Sequence, residues 1–206
     1  CSTSCFTSSF MLWYYYTILS YMNTIFALVG PAHCGKSALM KEVARLIPER
    51  VGIIKSFTTR AQRDADDAIF YDFFVKEALE QKRANNELVE YVEHAGNYYG
   101  YDRQTVESVL ARTHGICAVV ENAVYDLINA GYTVAPIKII PAHAEKMREV
   151  FYEKHKERIN ADKERGKVHL NFAAEIINSF EPGGKEKAIN DLVALITNCQ
   201  QKTRTV

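Results

Sequence analysis

The stretch that most restricts this chain is Gly30-Pro31-Ala32-His33-Cys34-Gly35-Lys36-Ser37, set between the apolar run "TIFALVG" and the segment "KSALMKEVARLI". An unbroken apolar run ending in glycine reads as a strand buried on both faces, which occurs in parallel sheets covered by helices. The segment after the loop has apolar residues at helical spacing and stops at Pro48. The loop has the spacing G-x-x-x-x-G-K-S. Its glycines let successive N–H groups turn inward and form an anion nest. A helix starting near Lys36 adds its positive end. The expectation is a phosphate-binding loop, with Lys36 on the outer phosphates and the Ser37 hydroxyl able to ligate Mg²⁺. A glycine-rich strand-to-helix turn without a ligand is the plainer alternative.

Downstream, apolar runs alternate with amphipathic ones. "VGIIKSFTT" reads as a second strand, "FYDFFV" as a short third, and "KEALEQKRANN" as a helix. "LVEYVEHAGNYYGY" reads as a strand and then a glycine-bounded turn, and "RQTVESVLARTHG" as a helix closed by Gly115. "ICAVVE" and "TVAPIKII" read as buried strands with the helix "AVYDLINAGY" between them. "AEKMREVFYEKHKERINADKERG" reads as a long charged helical region, "AAEIINSF" as a short last strand and "KEKAINDLVALITNCQ" as a closing helix. Strands alternating with helices predict an α/β fold with a mainly parallel sheet.

Residues 1–21, "CSTSCFTSSFMLWYYYTILSY", contain no charged residue, and their apolar part from Phe10 to Tyr21 is too short to span a bilayer. They lack the basic start of a secretion signal. They are expected to be an extension outside the fold, which would begin at Met22. Lys+Arg and Asp+Glu are equal at 25 each, which argues against a chain built to bind nucleic acid or an anionic membrane. The five cysteines form no CxxC pair and no zinc spacing, and so read as reduced thiols.

A second constellation follows the second strand. "SFTTRAQR" places Ser56, Arg60 and Arg63 together, and two arginines at this spacing can form a fork for a second phosphate. They can equally pair with the carboxylates of "DADD" on the surface. Tyr71, then Glu90 in "LVEY", then "GNYYG" from Gly96 to Gly100, come next. The loop, the "S-x-T-T-R-x-x-R" run and the "E-Y…GNYYG" run at these distances resemble guanylate kinase, over about residues 23–198.

The resemblance implies a P-loop NTPase-type three-layer sandwich with two small inserts. One binds a nucleoside monophosphate (about 56–105) and the other is a lid (about 148–166), within a domain spanning 22–200. It implies transfer of the γ-phosphate of ATP to GMP with Mg²⁺, in a cytoplasmic monomer or small homo-oligomer that engages neither nucleic acid nor membrane. ATP would lie on Gly30, Pro31, Ala32, His33, Cys34, Gly35, Lys36, Ser37 and Ala38, with its adenine near Asn178. GMP would lie on Ser56, Arg60, Arg63, Tyr71, Tyr99, Tyr101 and Glu121, with Glu90 accepting from the guanine N1–H and amino group. Lys36, Arg60, Arg148 and Arg158 would be catalytic, and Ser37 the metal ligand.

The chain departs from the family pattern at several positions. Tyr101 stands where the family has Ser or Thr, and Ala123 where it has a second acid. Tyr125-Asp126 replaces a Gln-Gly pair. The stretch between Arg148 and Arg158 is shorter than usual, with Lys154 as a substitute cation. Two alternatives follow: a kinase of the same fold with another nucleoside monophosphate or a phosphorylated sugar as acceptor, and a non-catalytic guanylate-kinase-like binding module.

Overall fold

The computed structural model describes residues 23–94, 96–142, 169–179 and 181–203. The extension expected over 1–21 and the lid with Arg148, Lys154 and Arg158 lie outside the described residues. In chain order the elements are β1 (Ile25–Val29), α1 (Lys36–Leu46), β2 (Val51–Ile53), β3 (Ser56–Thr58), α2 (Asp67–Phe70), β4 (Tyr71–Phe73), α3 (Lys76–Ala84), β5 (Leu88–His94), β6 (Asn97–Asp102), α4 (Arg103–Leu110), β7 (His114–Val119), α5 (Glu121–Asn129), β8 (Val134–Pro141), β9 (Ala174–Asn178) and α6 (Gly184–Thr203).

Every residue of β1 is buried. Such a strand needs hydrogen-bonded neighbours on both edges and apolar cover on both faces. β1 pairs in parallel with β7 on one side and β8 on the other. β2 and β9 complete a five-stranded parallel sheet in the order β2-β7-β1-β8-β9. Side chains alternate across it. Phe26 and Leu28 face a cluster with Leu39, Met40 and Val43 of α1 and Ala188, Leu192 and Ile196 of α6. Ile25, Ala27 and Val29 face the other way, onto Val106 of α4 and Val124 and Leu127 of α5. The result is the expected three-layer α/β sandwich.

Residues 56–102 build a second, four-stranded sheet in the order β4-β3-β6-β5. The stretch "LVEYVEHAGNYYGY", expected as a strand and then a turn, is an antiparallel hairpin of β5 and β6, with Gly96 at φ 73° between them. Helix α3 covers the back of this sheet. Leu79 is fully buried there, and the Tyr91 hydroxyl donates to Glu80 Oε1 at 2.8 Å. Asp102 joins the insert to the core: it accepts the N–H of Gln104 at 2.9 Å as the cap of α4, and Lys82 Nζ at 2.5 Å.

Two sequence expectations need correction. "VGIIKSFTT" is two strands in different sheets, not one. Buried Ile54 donates its N–H to Ile116 O at 2.9 Å, and after it the chain leaves the core sheet. An apolar run reports burial, and here buried Ile54 and Phe57 stand on either side of the half-buried crossing residues Lys55 and Ser56. Gly115 does not close a helix: α4 ends at Leu110 and Gly115 lies within β7. A Cβ there would stand 2.3 Å from Ile54 Cδ1, so the glycine permits close packing of the β2 end onto β7.

Candidate active site

All strands of the core sheet are parallel, so their C-terminal ends share one edge. The glycine loop leaves β1 there. Gly35 takes φ 90°, a left-handed conformation that side-chain-bearing residues rarely adopt, and a Cβ on it would lie 2.4 Å from Asn178 Nδ2. His33 also has positive φ, 63°. Lys36 folds over the loop, and its Nζ donates to Gly30 O at 2.7 Å and Pro31 O at 2.8 Å. The ammonium is thereby held at the mouth of the backbone nest. Ser37 and Ala38 are exposed in the first turn of α1, and Cys34 is fully buried in the core beneath.

Asn178, at the end of β9, is 3% exposed. Its Nδ2 donates to Cys34 O at 2.9 Å, so it braces the loop backbone from the neighbouring edge. Its Oδ1 is buried without a hydrogen-bond partner among the described residues.

The second sheet brings most of the other expected residues onto one face. Tyr71 is in register with Ser56 across β4 and β3, Phe57 with Gly100 across β3 and β6, and Tyr101 with Glu90 across β6 and β5. Tyr71, Ser56, Tyr101 and Glu90 therefore form a row across four strands, about 14 Å from end to end. Tyr99 adjoins it, its ring edge-on to Tyr71 at 6.5 Å. The Ser56 hydroxyl is engaged with the framework, donating to Gly100 O at 2.9 Å.

Arg60 lies over the Tyr71 ring at 5.1 Å. Its side chain is 14% exposed, and Nε and Nη2 are buried without hydrogen-bond partners among the described residues. Asp67 holds it in place. The carboxylate accepts Arg60 Nη1 at 2.9 Å, Arg63 Nη2 at 2.8 Å and the Arg63 backbone N–H at 2.8 Å. Arg63, Arg60 and these bonds hold the Asp67 carboxyl well below the usual carboxylate range. The ion pairing foreseen as a surface alternative thus exists, but Asp67 is 4% exposed, and it leaves two Arg60 nitrogens open. The sequence reading missed this positioning role of Asp67. Its signal was the run of carboxylates just after the arginines, where nothing distinguished the buried one.

Tyr101, expected in the acceptor site, is 3% exposed, and its hydroxyl donates to Ala118 O of β7 at 3.0 Å. Beside it, burial pushes the Cys117 thiol up to about 12. Glu121 starts α5 just beyond β7, where a carboxylate also suits the helix N-terminus. Ala123 is buried in the core, where an unpaired acid would be costly. The pairs Val29–Val119 and Tyr101–Ala118 bring the row on the second sheet to the edge where the loop begins, one strand away, about 5 Å.

Residues 22–181 match the family model described as guanylate kinase. A guanylate kinase of Mycoplasmoides gallisepticum is 27% identical over 137 residues, 64% of this chain and 69% of that protein. MAGUK p55 subfamily member 7 of Xenopus tropicalis is 34% identical over 125 residues, 59% of this chain but 22% of that protein. The crystal structure of guanylate kinase from Anaplasma phagocytophilum matches with a TM-score of 0.62 at 21% identity, covering 87% of each chain, which shows the shared fold. With the loop, the arginine pair and the Glu90 strand in place on that fold, the chain belongs to the guanylate kinase family.

Proposed function

We propose that this chain transfers the γ-phosphoryl group of ATP to GMP, giving ADP and GDP, in the cytoplasm. The observation that carries the reading is Arg60. A phosphate-binding loop alone would serve any ATPase. A second, largely buried guanidinium with two open nitrogens, on a separate sheet at one end of an aromatic row, suits a second phosphorylated substrate. The carboxylate at the other end, Glu90, suits the two donors of guanine, which adenine does not offer together.

Such a reaction needs no side-chain base. The acceptor is a monophosphate oxygen whose second pKa is about 6, so it is ionised at neutral pH. That oxygen bonds to the γ-phosphorus as the bond to the β-bridging oxygen breaks, and ADP carries away the electron pair. The chain's work is alignment and charge neutralisation. Lys36 leaves its two loop carbonyls for the ATP phosphates, while Arg60 and Arg63 turn the acceptor phosphate toward them. Mg²⁺ fits the exposed Ser37 hydroxyl at the loop and would arrive with the triphosphate, neutralising its charge. Arg148 and Arg158 are proposed to close over the phosphates and exclude water.

An ADP-release assay with ATP-Mg²⁺ against GMP, dGMP, AMP, UMP and CMP tests this reading. Turnover with GMP, and weaker with dGMP, is expected. Turnover only with another acceptor would reassign the substrate. Acceptor binding without any turnover would favour a binding module, against which the intact Gly35-Lys36-Ser37 speaks.

A further inference from the structure

Guanine presents two donors, N1–H and the 2-amino group, beside one acceptor, O6. A site that reads all three needs an acceptor pair and a donor side by side. Glu90 supplies the acceptor pair and has no proton to give when ionised. Its register partner on the same face is Tyr101. The ladder shifts between Leu88 and Glu90, and Glu90 stays paired with Tyr101 past the shift, so Tyr101 stands beside the carboxylate, where a donor to O6 would stand.

A tyrosine has one hydroxyl proton. That of Tyr101 is committed to Ala118 O at 3.0 Å. The residue belongs to the buried cluster that includes Val106, Cys117 and Val119, and it is 3% exposed. Turning the proton toward a ligand would leave the half-buried Ala118 carbonyl without this partner.

We propose that Tyr101 is a specificity-determining residue of the acceptor site: with its hydroxyl committed to β7, the site selects a nucleotide by the donors that Glu90 accepts and does not read the group at the 6-position of the base. This rests on the proposed function. The acceptor class it defines is 2-aminopurine nucleoside monophosphates that keep N1–H, whether the 6-substituent is oxygen or sulfur.

The test is kcat/KM of the full chain for GMP, 6-thio-GMP and IMP. A site built to hydrogen-bond a substrate group rejects the analogue lacking it strongly, and a site that ignores the group does not. GMP and 6-thio-GMP should differ by less than about threefold, while IMP, which lacks the 2-amino group, should fall about 100-fold. Tyr101→Ser, which frees a donor and opens space, should shift the GMP to 6-thio-GMP ratio toward GMP by about tenfold. Tyr101→Phe should keep the wild-type ratio, which a hydroxyl acting on the base would change. Strong wild-type rejection of 6-thio-GMP alongside good GMP turnover would overturn this inference and leave the proposed function standing. If Tyr101→Ser fails to fold, the wild-type panel and Tyr101→Phe still decide. Failure to use GMP at all would overturn the proposed function, and this inference with it.

Discussion

The glycine loop and the face of the second sheet are made from different materials. The loop is eight contiguous residues whose shape comes from backbone angles, with Gly35 at φ 90° and Lys36 folded onto two carbonyls. The face is made of side chains from four strands, lined up by register and held by partners off the face: Asp67 behind Arg60, and Ala118 behind Tyr101. A backbone-built site tolerates side-chain variety, and His33 and Cys34 sit within it. A site built from side chains depends on each member and on each support.

Lys36→Ala gives the largest expected effect, because on the proposed function Lys36 is the loop side chain that would carry positive charge to the transferring group. Turnover should fall about 100- to 1,000-fold with an unchanged circular dichroism spectrum. Intact turnover would put the loop's action in its backbone alone.

Asp67→Ala strikes the other region through its support. Arg60 would remain buried with its counter-charge removed, which costs about 3 kcal/mol of stability, readable in urea unfolding. The KM for GMP should rise with little change in that for ATP. Asp67 also gives a pH signature. Its folded pKa lies below the unfolded value, so its contribution is full above about pH 4 and is lost as pH falls toward the folded pKa. Asp67→Asn should flatten the acid limb of the stability curve.

Glu90→Gln should raise the KM for GMP about 10- to 100-fold and leave that for ATP unchanged, since it puts a donor against the donors of guanine. Equal effects on both substrates would remove Glu90 from the acceptor site and dissolve the contrast between the regions.

The smallest effect lies outside both regions and serves as a control. His114 accepts the Thr24 N–H on Nδ1 at 2.9 Å and is buried, and burial, then Arg50, lowers its pKa. Stability is therefore full above about pH 6.5 and declines as pH falls below it, where the unfolded chain binds the extra proton. His114→Asn should reduce that decline between pH 7 and 5 while kcat keeps its wild-type pH profile.

The loop was legible in the sequence because its neighbours in space are its neighbours in the chain: Gly30 to Ser37 carry spacing, conformation and flanking elements together. The alternation of strands and helices was legible for the same reason, as each element declares itself within a dozen residues. The sequence also placed Ser56, Tyr71 and Glu90 in the second constellation, and the family resemblance added Tyr101, but neither could say which way each hydroxyl or carboxylate is turned. What it misread depended on distant contacts. Gly115 looked like a helix stop until Ile54 packed on it, and "VGIIKSFTT" looked like one strand although its halves serve two sheets.

The sequence by itself determined the layered α/β class, the loop, and the residue types available for a second phosphorylated substrate. Only the tertiary structure decided how those residues are used. It chose Asp67 among neighbouring carboxylates to hold both arginines, turned Asn178 onto Cys34 O, and committed the Tyr101 hydroxyl to Ala118 O. The reason is that a hydroxyl, amide or carboxylate takes its role from the partner that burial forces it to satisfy, and that partner comes from another part of the chain.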